Sequence, residues 1–134
     1  MSTTETLAER GNRMRREVHG DGRIDAMSAV APELIEVFEQ LADNGYGAVW
    51  GRTEELSLKL RCLVTMSIIS ALGGADTELR AHVRGALRAG WRREELLEAL
   101  SHTVLYAGAP RGQHAMYVAL EVFEAYDAEL AEGR

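Results

Sequence analysis

Apolar positions recur at helical spacing through most of this chain, and no period-2 alternation of useful length occurs. The most apolar stretch runs through Leu58, Leu60, Leu63, Val64, Met66, Ile68, Ile69, Ala71 and Leu72, and it is apolar almost all round. That pattern predicts a buried central helix, and at about 15 residues the run is too short to span a bilayer. Gly73-Gly74 stops it, because glycine supplies the left-handed conformation that ends helices. Asp76 or Thr77 then caps a second helix, with Glu78 and Leu79 in its first turn and Leu79, Val83, Ala86 and Leu87 on its inner face as far as Gly90. Upstream, Glu5 to Val18 reads as a polar helix that the turn His19-Gly20-Asp21-Gly22 breaks. Pro32 fits the first turn of the next helix, where Leu34, Val37, Phe38 and Leu41 recur. Asn44-Gly45 weakens that helix and leaves Tyr46, Val49 and Trp50 in a short aromatic-rich turn. Downstream, a helix from about Arg93 to Ala107 carries Leu96, Leu97, Leu100, Val104 and Leu105. Gly108 closes it, and Pro110 opens a last helix with Met116, Val118, Leu120, Val122 and Phe123. The fold class is all-α.

Composition narrows the function more than the fold. With 134 residues, 46% of them hydrophobic and 27% charged, the chain reads as one globular domain over residues 1–134. A net charge of -6 argues against nucleic acid, which selects a basic face. The lone Cys62 excludes an internal disulfide and fits a reducing compartment. The segment MSTTETLAER has no apolar core of a signal peptide, so the expected location is the cytoplasm.

Four histidines carry most of the candidate chemistry. His82 shares the inward face of Leu79 and Ala86, which suits either a satisfied core histidine or an imidazole beside an apolar pocket. His102 and Tyr106 are four apart and stack on one face, as a pocket pair or as an ordinary polar pair. Arg111 and His114 share a face at the start of the last helix, where backbone N–H groups also favour anions; the plainer reading is a solvated helix end. His19, in its glycine-rich turn, is expected to be exposed. No HExxH, cysteine pair or Asp-rich loop supports a metal site. Cys62 lies in the apolar run, where a thiolate is disfavoured, so its default is packing.

The segment LSLKLRCLVTMSIISALGGADTELRAHVRGALRAGWRREELLEALSHTVLYAGAP resembles the carboxymuconolactone decarboxylase family. GNRMRREVHGDGRID and YGAVWGR are similar to the entry segment and aromatic turn of its γ-carboxymuconolactone decarboxylase branch. Arg61 before LVT, AHVRGAL with His82 and Arg84, and HTVLYAGAP with His102 and Tyr106 carry the match by order and spacing. The resemblance implies an AhpD-like all-α fold of about six to seven helices, assembled into homo-oligomers (trimers or hexamers), with no metal or organic cofactor. AhpD-like peroxidases of the same superfamily carry a CxxC pair four residues before a histidine. Counted back from His82, those positions hold Ala75 and Glu78, and disulfide chemistry needs two thiols.

The implied activity is a cofactor-independent decarboxylation of an unsaturated lactone acid, 4-carboxymuconolactone-like, in aromatic compound catabolism. Catalysis is expected from His82 as proton donor or oxyanion partner, with His102 and Tyr106 orienting or relaying. Arg61, Arg111 and His114 are expected to hold substrate carboxylates, Trp50 to form a wall, and Arg84, on another face, to serve a subunit interface. Two departures bear on the substrate: Ala48 stands where the branch usually has an acidic residue, and Arg23 where it often has histidine. They favour, as an alternative, a tailoring oxidoreductase, isomerase or cyclase acting on a polyketide or other aromatic-derived acid; a further alternative is a non-catalytic oligomeric binding protein that keeps the apolar pocket without turnover.

Overall fold

The computed structural model describes residues 4–30 and 32–133; the side chains of Pro32 and Leu34, and with them the expected packing of Leu34, lie outside the described residues. Among the described residues there are seven helices and no strand: α1 Leu7–His19, α2 Asp21–Ser28, α3 Pro32–Val49, α4 Leu58–Leu72, α5 Asp76–Arg88, α6 Arg93–Ala107 and α7 Ala109–Ala131. No helix among them is long and apolar enough to cross a membrane. The chain divides into two compact units, Met1–Leu58 and Lys59–Arg134.

In the first unit α1 lies close against α3 because both helices carry glycine at the crossing. A Cβ on Gly11 would stand 1.6 Å from the Asp43 carbonyl oxygen, and one on Gly47 would stand 2.0 Å from that of Leu7. Arg15, only 3% exposed, is held by Asp43 at 2.7 Å, so its charge is buried with a partner. Two expectations fail here. The break after α1 is Gly20 alone, at φ 88°, and α2 starts at once with Gly22 inside it. α3 runs through Asn44-Gly45 to Val49 without weakening, since close packing on α1 outweighs the low helix propensity of glycine. Val37, Phe38 and Leu41 remain exposed on α3.

In the second unit α7 is the central element, packed against both α5 and α6. Leu79, Val83 and Ala86 of α5, Leu96 and Leu100 of α6, and Ala115, Val118, Ala119, Val122 and Phe123 of α7 are buried, whereas Leu105 and Leu120 are exposed. Gly112 allows the α6–α7 approach: a Cβ there would meet the Val104 backbone at 2.6 Å. Arg84, expected at a subunit interface, also has a role within the subunit. It ties α5 to α7 through Glu129 at 2.6 Å and lies over the Tyr126 ring.

α4 corrects the expectation of a helix buried all round. Cys62, Met66 and Ser70 are buried at four-residue spacing, but Leu60, Val64, Ile68 and Leu72, offset by about 200° around the axis, are exposed. Its ends are latched by side chains from later in the chain. The Trp91 indole N–H donates to the Lys59 carbonyl at 2.7 Å, and Arg111 donates to the carbonyls of Ala71 and Leu72.

Candidate functional site

Three helix ends and the Gly73-Gly74 turn enclose a cleft of ≈ 440 Å³. Ile69, Ser70 and Leu72 of α4 form one wall, Asp76 and Leu79 of α5 a second, and Pro110, Arg111 and His114 of α7 a third. The N-termini of α5 and α7 both open here, and neither has a side-chain cap: the N-cap residues are Ala75 and Gly108. The first-turn N–H groups therefore add partial positive charge at the cleft.

Arg111 is exposed, but one of its nitrogens is held. Its Nη1 donates to the last carbonyls of α4, and the guanidinium lies against Gly73, where a Cβ would stand 3.5 Å from Nη1. Gly73 is also at φ 72°, so glycine serves the turn and the close approach together. Among the described residues Nε and Nη2 make no hydrogen bond, which leaves a two-nitrogen edge of the size that matches a carboxylate. One turn on, the His114 Nε2 lies 2.9 Å and 3.0 Å from the two Asp76 carboxylate oxygens.

Of the residues singled out in the sequence, Arg111 and His114 meet at this cleft; the others lie elsewhere. His82 faces inward on α5 and is mostly buried, which pushes its imidazole down to about 4, with Glu78 offsetting only part of the shift. Burial therefore favours the neutral ring over the imidazolium. His102 and Tyr106 do stack, with centroids 6.0 Å apart, but both are exposed on α6 and Tyr106 is 81% accessible. Arg61 is half-buried in the first turn of α4. Trp50 is buried in the first unit, stacked on Tyr46 at 5.0 Å. His19 is buried instead of exposed, its Nε2 lying 3.1 Å from the Tyr46 hydroxyl.

Sequence reasoning missed Asp76 as a site residue. It reads as a helix cap, yet it occupies the first helical turn and turns its carboxylate to a histidine 38 positions away. No local pattern signals such a pair. Among the described residues no group of three or more His, Cys, Asp or Glu side chains is placed to hold a metal ion.

Comparison with known proteins agrees with the helical architecture. The family model described as "Carboxymuconolactone decarboxylase family" matches residues 36–121, which run across the boundary between the two units. A 4-carboxymuconolactone decarboxylase of Acinetobacter baylyi is 34% identical over 87% of this chain and 86% of its own length. A nitrosuccinic acid decarboxylase of Metarhizium robertsii is 32% identical over 84% of this chain and 78% of its own. Matches of this length and identity settle the family: the chain belongs to the carboxymuconolactone decarboxylase family.

Proposed function

We propose that this protein is a cofactor-independent decarboxylase of an unsaturated lactone acid, and that the cleft at the α5 and α7 N-termini binds the substrate. The observation that carries the reading is the preset edge of Arg111 between two uncapped helix N-termini, in a chain of this family. The named substrates of the two relatives are both acids with an electron sink, a lactone in one and a nitro group in the other. Loss of CO₂ then leaves a carbanion whose charge spreads onto oxygen. Arg111 holds a carboxylate, and the first-turn N–H groups of α5 face the developing charge. Ile69, Leu72 and Leu79 supply apolar walls. His82, His102 and Tyr106 do not line this cleft, so the reading moves the substrate from His82 to Arg111. The difference between the two relatives' substrates also favours a second reading, a decarboxylase of a different acid, with Ala48 and Arg23 marking the changed substrate. Self-association belongs to the proposal: the exposed stripe on α4 is covered by a second copy of the chain.

The test is to incubate pure protein with 4-carboxymuconolactone and, in parallel, with nitrosuccinate, without added metal, and to follow CO₂. Turnover of the lactone acid at an enzyme-like rate, on the order of 1 s⁻¹ or more, is expected. Turnover of nitrosuccinate alone selects the second reading, and turnover of neither overturns both for these acids.

A further inference from the structure

Decarboxylation leaves a carbanion carbon that needs a proton, and His82 does not line the cleft. Three titratable side chains line it: Asp76 from α5, and Arg111 and His114 from α7; the α4 wall and the Gly73 to Ala75 turn contribute none. Arginine keeps its protons, and a carboxylate only accepts. His114 remains. Its Nε2 faces both oxygens of Asp76 at 2.9 Å and 3.0 Å, so Nε2 carries a hydrogen whether the ring is neutral or charged. Nδ1 is then the nitrogen that gains and loses a proton. The His114 side chain is 56% exposed, so the ring can be recharged from water.

We propose that His114 is the catalytic acid of this cleft and that Asp76 is its positioning residue, fixing the tautomer so that Nδ1 serves the substrate. This rests on the decarboxylase reading. In the step, the bond between the substrate and its carboxylate carbon breaks, CO₂ departs, and the electron pair passes into the conjugated lactone. A C–H bond then forms at the carbanion carbon with the proton of the His114 imidazolium Nδ1–H. Water returns a proton to Nδ1, so each turnover consumes one proton and needs no oxidant or reductant.

The experiment pairs ¹⁵N spectra of the histidine rings in the intact protein with steady-state kinetics, His114 being assigned by its loss in His114→Gln. In wild type the neutral His114 ring is expected as the Nε2–H tautomer, and in Asp76→Ala as a mixture. Succinate, a dicarboxylate with no electron sink, is expected to bind without turnover and to move the Nδ1 resonance. On the lactone acid, His114→Gln is expected to lower kcat by about 10²- to 10⁴-fold. Asp76→Ala should lower kcat with KM little changed, and Asp76→Glu should recover part of the loss. An active wild type whose His114→Gln variant keeps its kcat overturns the assignment and leaves the decarboxylase reading standing. An inactive wild type that still shows the Asp76-dependent tautomer and the succinate response overturns that reading and upholds the dyad for another acid. Absence of both spectral signs overturns the dyad whatever the activity.

Discussion

At the scale of single residues, position in the sequence and role in the molecule separate most clearly at Arg111 and His82. The apolar-face spacing of His82 correctly reads as inward, but inwardness is what keeps it from being charged. Arg111 reads as a helix-end cation, and only the structure shows it anchored to α4 with one edge left for a ligand. Arg111→Gln removes a charge-assisted contact of about 1.5–3 kcal/mol, so KM for the lactone acid is expected to rise about 10- to 100-fold in steady-state assays, with kcat changing less. An unchanged KM places the carboxylate elsewhere. For His82 the effect is on stability. The unfolded ring titrates near 6.5 and the folded one at about 4, so between those pH values the unfolded chain binds more protons. Stability therefore falls as pH drops from 6.5 towards 4 and levels off below, by about 3 kcal/mol in all. Urea unfolding at several pH values should show this slope in wild type and its loss in His82→Leu; parallel curves for the two proteins would refute it.

At the scale of elements, the sequence is most reliable where a helix is decided by its own ends. α6 begins and ends where Arg93, Ala107 and Gly108 place it, and α4 stops at Gly73-Gly74. It is least reliable where a partner helix decides. Asn44-Gly45 reads as a weak point, but α1 takes up the space that Gly47 leaves, and α3 continues. Gly112 has the same role between α6 and α7. Gly112→Ala puts a methyl group 2.6 Å from the Val104 backbone, which cannot swing aside as a side-chain end would. The expected loss is about 1–3 kcal/mol or more, read from urea midpoints. A variant as stable as wild type would mean that the α6–α7 crossing adjusts freely.

At the scale of the whole molecule, the open face of α4 is an unfinished surface. Leu60, Val64, Ile68 and Leu72 form one stripe on a helix whose opposite stripe is fully buried, and Ile68 is 53% exposed. If a second copy covers it, Ile68→Glu puts a charge into an apolar interface. Sedimentation should then show smaller species with unchanged helicity, whereas an unchanged mass would move the interface off α4. The sequence by itself determined that the chain is helical, where most helices begin and end, that α4 is apolar almost all round, and which family it resembles. These are local or periodic properties, fixed by spacing, glycine and proline within a few turns. The tertiary structure decided which apolar faces are covered and which charges meet. Asp76 and His114, 38 residues apart, become one pair only because α5 and α7 bring their N-terminal ends to the same cleft. Helical periodicity sets the direction of a side chain around its own axis, but it carries no information on which helix stands opposite.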